Sequence, residues 1–96
     1  MNKVYKVIEK FASDALINKE DYIKMYAESV NDPDSFWRKH AKRLNWIKSF
    51  TEVKDVSFEK SNLYIKWFAD GTLNVATNCI DRHLKNKSDK VALLWQ

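Results

Sequence analysis

Glycine and proline are scarce in this chain, and that scarcity limits both its fold and its chemistry. Among 96 residues there is one glycine, Gly71, and one proline, Pro33, whereas average usage predicts roughly eleven such residues. A phosphate loop, in which backbone amides close around a nucleotide, needs several glycines. The sequence therefore excludes a glycine loop for ATP or a dinucleotide. One domain at most is expected, because domains usually contain roughly 100–200 residues.

The overall composition is that of a globular chain. Hydrophobic residues make up 45% of the sequence and charged residues 31%, unlike a disordered tail or a membrane span. The longest uninterrupted apolar run, Val91–Trp95, is far shorter than the roughly 18 residues of a membrane helix. Charged and apolar residues alternate at the N-terminus, which is not the pattern of a signal peptide. Because a single cysteine cannot form an internal disulfide, an oxidising compartment would not stabilise this fold, and we expect a cytoplasmic location. From the short apolar run we expect no membrane partner.

The net charge of +4 raises the question of nucleic-acid binding. The lysines are scattered and have acidic neighbours, as in Lys19-Glu20-Asp21, whereas a surface that follows phosphates needs cations clustered on one face. The densest basic group, residues 38–43, is interpreted as the solvated side of a helix. We expect no nucleic-acid partner.

The first half of the chain predicts helices. Apolar side chains recur at helical spacing over residues 4–16, which predicts a first helix. Asn18 is a predicted N-cap for a second helix that ends near Asn31. Asp32 and Pro33 predict the start of a third, with an N-cap aspartate followed by proline at the first helical position, and its apolar stripe continues to about Asn45.

The second half predicts short strands and one more helix. Residues 53–58 and 63–68 have extended patterns, and residues 69–72 predict a turn in which Gly71 supplies a positive φ. Thr72 or Asn74 caps the next helix, which contains Val75 to Leu84, and residues 86–89 are turn-like. Residues 90–95 predict a buried strand that needs cover on both faces. The predicted fold is therefore α+β, with three or four helices and a few short strands.

Four blocks of the sequence resemble a known family. They read YIKMYAESVNDPDSFW at 22–37, LNWIKSFTEVKDVSF at 44–58, IKWFADGTLNVATNCIDRHL at 65–84, and DKVALLW at 89–95. In this order and at these separations they resemble the N-terminal segment of the acetyl-CoA synthetases, which are AMP-forming acyl-adenylate ligases. Relatives that act on propionate or acetoacetate share this opening segment, but the stretch at 57–74 is most similar to the acetate enzymes.

The resemblance implies a domain assignment and a parent reaction. Residues 1–96 are expected to form the N-terminal cap of a larger adenylating domain, with residues 1–21 as a leader helix. In the parent reaction, acetate and ATP give acetyl-adenylate and pyrophosphate, and CoA then takes the acyl group and releases AMP. The family's phosphate loop, acyl-pocket tryptophan, CoA-binding arginines and adenylation lysine have no counterpart here. The resemblance therefore implies that ATP, Mg and CoA are bound elsewhere in the parent.

Cys79 and His83 are the first candidates for chemistry in this chain. They are four residues apart on a predicted helix and so share one face. Such a pair is the beginning of a thiol nucleophile or a metal site, but a closed zinc site needs four ligands and only His40 is available as a third strong one. Cysteine also buries as a small hydrophobe, which is the favoured interpretation. We predict no catalytic residue, no cofactor-binding residue and no metal ligand in residues 1–96.

The other candidates also favour structural roles. Asp81 has Lys85 as a possible partner, and Arg82 can bind a carboxylate or free backbone carbonyls. The family resemblance implies that these residues and His83 fix a helix against the larger domain, and a catalytic acid or base would also need a substrate pocket around it. The four tryptophans are interpreted as core or interface anchors rather than a platform for stacking bases, and two aspartates as helix-start residues; they are Trp37, Trp46, Trp67, Trp95, Asp32 and Asp34.

Two functional interpretations remain at this point, beside a third and weaker one, residual nucleotide or CoA binding by the basic surface. The chain is either a piece of an acetate–CoA ligase without turnover of its own, or a free-standing interaction module derived from that domain. In both cases residues 91–95 are expected to expose apolar surface, because the sequence continues only to Gln96. The expected partners are the remainder of the synthetase or a second copy of the chain, through strand pairing or exchange of an element.

Overall fold

The computed structural model describes residues 2–96, which belong to two compact units, Met1–Trp37 and Arg38–Gln96. The elements in chain order confirm the α+β class. Every helix within residues 2–96 is too short or too polar to cross a bilayer. The elements are α1 (Glu9–Asp14), α2 (Lys19–Asn31), α3 (Pro33–Ala41), β1 (Trp46–Lys48), β2 (Lys54–Glu59), β3 (Asn62–Trp67), β4 (Thr72–Leu73), a π-helical turn (Thr77–Asp81) and α4 (Arg82–Lys87).

Side-chain caps define the starts of α2 and α3, as the sequence predicts. The Asn18 side chain accepts a hydrogen bond from the Asp21 amide at 2.9 Å, and the Asp21 carboxylate accepts one from the Asn18 amide at 3.3 Å. This reciprocal capping box satisfies two amides that have no partner within the helix. At α3, Asp32 accepts a hydrogen bond from the Ser35 amide at 3.2 Å, and Pro33 occupies the first helical position.

The first and third helices are shorter than the apolar spacing in the sequence predicted. Instead of residues 4–16, α1 contains only Glu9–Asp14, and no side chain caps its start at Ile8. Its apolar residues are exposed, and a short helix without tertiary packing is marginal in water. The third helix ends at Ala41 rather than at about Asn45, because the chain tightens into turns in which Leu44 donates to the Ala41 carbonyl at 3.1 Å.

The strands form two small antiparallel sheets in the second unit. β2 and β3 pair as a hairpin from Lys54↔Trp67 to Glu59↔Asn62, which confirms the two predicted extended segments. β1 pairs with β4 through Trp46↔Leu73 and Lys48↔Thr72. Sequence patterns did not predict β1 and β4, because strands of three and two residues are too short to show an alternation.

A small aromatic core holds the second unit together. Ala41, Phe50 and Val53 are buried, and Trp46 and Phe68 pack against them. The Phe50 ring centroid lies 5.0 Å from that of Trp46 and 4.7 Å from that of Phe68, both edge-to-face. The Trp46 indole N–H donates to the Ala41 carbonyl at 2.9 Å, so the polar group of this ring is satisfied.

The turn after β3 differs from its prediction in one respect. Residues 69 and 70 form a turn, but Gly71 does not have a positive φ; Phe68 does, at 50°. A bulky residue in this region is strained by about 1–3 kcal/mol, and the ring packing of Phe68 offsets that cost. Gly71 is required for space instead, because a Cβ there would lie 2.7 Å from Trp46 Cζ3 and 3.1 Å from Phe50 Cβ.

The C-terminal part contains one confirmed cap and one wrong prediction. Asn74, rather than Thr72, caps the last helical segment by accepting from the Thr77 amide at 3.0 Å. Of the turn expected at residues 86–89, only residues 88 and 89 form a turn, because α4 continues to Lys87. Residues 90–95 are not a buried strand: they have no regular structure and are exposed, up to 98% at Trp95. An extended segment needs a neighbouring strand for its backbone groups, and none pairs with these residues within 2–96.

We predict that Gly71→Ala destabilises the second unit. The added methyl group overlaps the Trp46 ring, whose position is fixed by the core, and overpacking of this kind costs about 1–3 kcal/mol. Unfolding followed by near-ultraviolet circular dichroism measures the loss. Ser61→Ala, a small change in the exposed β2–β3 turn, is the control and should be nearly neutral. Equal stability of Gly71→Ala and the parent chain would contradict the assigned contact.

Candidate functional site

An open groove lies along the last helical segment and the residues that follow it. We call it the C-terminal groove, and its volume is about 450 Å³. Its side chains combine an apolar surface with a thiol, an imidazole and two ammonium groups. They belong to Cys79, Ile80, His83, Leu84, Lys87, Ser88, Lys90, Val91 and Ala92.

Cys79 and His83 both line the C-terminal groove, so the predicted common face is present. The Cys79 thiol is exposed rather than buried as a small hydrophobe, which corrects that expectation. The structure does not bring His40 to this pair; the His40 imidazole contacts the Arg43 guanidinium. Within residues 2–96, no group of three or more His, Cys, Asp or Glu side chains is placed to hold a metal ion.

A polar network fixes the helix that carries this groove. The Asn78 side chain accepts from the Asn45 amide at 2.7 Å and donates to the Asn45 carbonyl at 3.0 Å. Arg82 donates to the Arg43 carbonyl at 2.9 Å and to Asn78 Oδ1 at 3.2 Å. Two side chains one turn apart therefore satisfy the backbone of the chain just after α3. The sequence suggested carbonyl contacts for Arg82, but it did not identify Asn78.

Of the residues Asp81, Arg82 and His83, Arg82 has an architectural contact within the second unit, Asp81 contacts Thr77, and His83 lines the groove. The predicted anchor was the larger domain, whereas Arg82 binds the segment at residues 43–45 of this chain. The Asp81 carboxylate accepts from the Thr77 hydroxyl at 3.4 Å. These contacts satisfy both side chains with groups of the same chain and orient the groove-lining face of the helix outward.

An aromatic groove lies in the first unit, with a volume of about 210 Å³. Tyr22 and Tyr26 stack with ring centroids 6.3 Å apart, and Phe36 meets Trp37 edge-to-face at 5.0 Å. Met25 completes a lining of the residue types that are enriched in protein interfaces. No residue between positions 2 and 37 is buried, so this apolar surface faces outward.

The four tryptophans occupy separate positions, and the expected core packing is confirmed for Trp46 alone. Trp46 packs in the core, and Trp37 lines the aromatic groove. Trp67 lies on β3, and the Lys54 ammonium nitrogen is 5.7 Å from the centroid of its ring. Trp95 is exposed. The basic group at residues 38–43 also has internal contacts, since Arg38 donates to the Thr51 carbonyl at 3.0 Å.

Asp70 carries a structural role that the sequence did not reveal. Its carboxylate accepts hydrogen bonds from the Thr51 hydroxyl, from the Thr51 amide at 2.9 Å and from the Glu52 amide at 3.4 Å. These bonds, foremost that from the Thr51 side chain, hold the pKa of the Asp70 carboxyl below its usual value. Asp70 was interpreted only as a turn residue, because no local signal marks a partner 19 residues away.

We predict that Asp70→Asn lowers thermal stability at neutral pH, because the amide keeps one acceptor oxygen and loses the charge. Because the pKa of the Asp70 carboxyl is lower in the folded than in the unfolded chain, its ionised form stabilises the folded state. This stabilisation is complete at pH values above the unfolded pKa of about 3.9, and it is lost as the pH falls through the folded pKa. The difference in melting temperature should therefore narrow below about pH 4. Asp89→Asn, in the turn after α4, is the matched control. A constant difference from pH 7 to pH 3 would contradict this role.

Comparison with known proteins identifies the family. A family model described as the acetyl-coenzyme A synthetase N-terminus matches residues 22–79. The acetyl-coenzyme A synthetase of Shewanella amazonensis is 57% identical over 93 residues, which cover 97% of this chain and 14% of that protein. Those of Shewanella pealeana and Shewanella halifaxensis are each 55% identical over the same shares.

These matches confirm the resemblance that begins at Tyr22, and they extend it toward the N-terminus. The chain spans 14% of the length of the curated relatives it matches. It corresponds to an N-terminal fragment of those proteins, and it belongs to the acetyl-coenzyme A synthetase N-terminus family.

Proposed function

We propose that this chain is a structural docking segment of an AMP-forming acetate–CoA ligase. In that role its exposed apolar surface packs against the remainder of the synthetase, and it contributes no catalytic residue of its own. ATP, Mg and CoA would be bound by the remainder, which would convert acetate to acetyl-adenylate and then to acetyl-CoA. A cytoplasmic location suits a chain whose one cysteine is an exposed thiol.

The observation that supports this proposal most directly is the outward-facing apolar surface in both units. The aromatic groove exposes Tyr22 and Tyr26 by more than half, and Leu93 and Trp95 are more than nine-tenths exposed. Exposed aromatic and aliphatic side chains that line a groove or follow one another along the chain are candidates for association. The relatives are about seven times longer than the matched stretch, so the most direct cover is the rest of the same protein.

The environment of Gly71 supports the absence of nucleotide chemistry. Its amide donates to the Phe68 carbonyl at 3.0 Å, and the space beside its Cα is filled by Trp46 and Phe50. A phosphate-binding glycine instead presents its amide to the ligand. The one glycine of the sequence is therefore part of the core and does not face an anion.

A chimera tests the proposal. The 96 residues replace the matching stretch of the Shewanella amazonensis synthetase, and acetate-dependent release of pyrophosphate from ATP is measured. The chimera should keep activity within about tenfold of the native relative, or about 1.4 kcal/mol in activation free energy. The isolated chain should release no pyrophosphate.

Two results would contradict the proposal. Pyrophosphate release by the isolated chain would show that it contains nucleotide machinery. A chimera that folds but makes no acetyl-CoA would show that this chain does not serve as the N-terminal segment of that enzyme. The native relative, purified and assayed in parallel, is the control for both measurements.

A further inference from the structure

The C-terminal groove combines two chemical features that the fold itself does not use. Its floor is apolar, and Ile80, Leu84 and Val91 are each more than half exposed. None of these three side chains belongs to the aromatic core. The polar network of Asn78 and Arg82 instead lies on the side that binds residues 43–45. The apolar floor of the groove is therefore left exposed by this fold and is open to cover by a further segment.

The rim of the C-terminal groove is basic. Lys87 and Lys90 line it together with His83, and the described lining contains no aspartate or glutamate. Lys87 is the last residue of α4 and Lys90 follows the turn after it, where the Lys90 amide donates to the Lys87 carbonyl at 3.1 Å. Both lysines therefore line the same groove as the apolar floor. A complementary ligand carries carboxylates beside apolar groups.

We propose that the C-terminal groove is the docking site for an acidic amphipathic segment from the remainder of the synthetase chain. The inference rests on the proposed function and specifies which surface makes the contact and what chemistry it recognises. The apolar residues of the segment would cover Ile80, Leu84 and Val91, and its carboxylates would pair with Lys87 and Lys90. Helix-in-groove binding of this kind places apolar anchors three and four residues apart.

Charge and length favour this occupant over others. Two lysines and one histidine are too few to follow a nucleic-acid backbone, which needs an array of phosphate contacts. A second copy of this chain would bring the same positive rim against itself, at a cost in like-charge repulsion. The matched relatives extend far beyond the present residues, so a segment joined to this chain would bind with a high effective concentration.

Cys79 provides a direct reporter, because it lines the groove and is the only cysteine of the chain. The labelling rate of Cys79 by a maleimide is measured by peptide mass spectrometry in the isolated chain and in the Shewanella chimera. We expect labelling to be at least about tenfold slower in the chimera, because local opening must precede reaction of a covered thiol. The ratio of the two rates defines the protection.

Charge reversal tests the acidic character of the docked segment. The double variant Lys87→Glu/Lys90→Glu should reduce the protection by about threefold or more, and high salt should reduce the protection in the parent chimera. Each variant is compared with its own isolated chain, which removes the effect of the new charges on thiol reactivity. The control, Lys48→Glu/Lys60→Glu, makes the same charge change outside the groove and should keep the protection. Lys87→Gln/Lys90→Gln gives a milder version if reversal prevents folding.

Each alternative outcome overturns the inference and is distinguishable from failure of the proposed function. A chimera that makes acetyl-CoA but labels as fast as the isolated chain has an open groove, although the chain still serves the ligase. Protection that is insensitive to charge reversal means that the covering segment is not acidic. Protection of the isolated chain that increases with its concentration identifies a second copy as the occupant.

Discussion

Trp46, Phe50 and Phe68 pack their rings around Val53, and this contact joins parts of the chain that are distant in sequence. The tight approach of the backbone at Gly71 makes room for Trp46, and the left-handed conformation of Phe68 directs its ring into the cluster. Edge-to-face ring pairs contribute about 0.5–1.5 kcal/mol each beyond their buried area. The strain at Phe68 is therefore acceptable only because the core is complete. The two small sheets and the Asp70 contacts surround this cluster.

The rest of the described chain is held mainly by local interactions. Helices α1 and α2 have no buried residue, and α2 is defined by its capping box rather than by packing. The helical segment at residues 77–87 is attached by Asn78 and Arg82, whose bonds leave the C-terminal groove uncovered. Apolar faces of this kind are typical of a segment that packs against other parts of a longer chain. Family membership and the exposed apolar surface both support the proposed docking role.

The sequence predicted those features that depend on neighbouring residues. The caps at Asn18, Asp32 and Asn74 are local hydrogen-bond signals, and the β2–β3 hairpin has alternating β-branched and aromatic residues. Features that depend on distant partners were missed, namely the β1–β4 pair and the Asp70–Thr51 contact. The buried strand at residues 90–95 was wrong because its pattern assumes a neighbouring strand. The groove was only partly predictable: the spacing of Cys79 and His83 placed them together, but nothing local indicated the lysine rim.

The most stable structure in the isolated chain is expected in the aromatic core and the strands around it. Amide hydrogen exchange of the isolated chain, at a concentration where it is monomeric, tests this claim most directly. We expect the slowest exchange in β2, β3 and the amide of Phe68, which donates to the Val53 carbonyl at 2.8 Å. Residues 2–8 and 90–96 should exchange almost as fast as an unfolded chain. Slow exchange throughout those two end segments in the monomer would contradict the account.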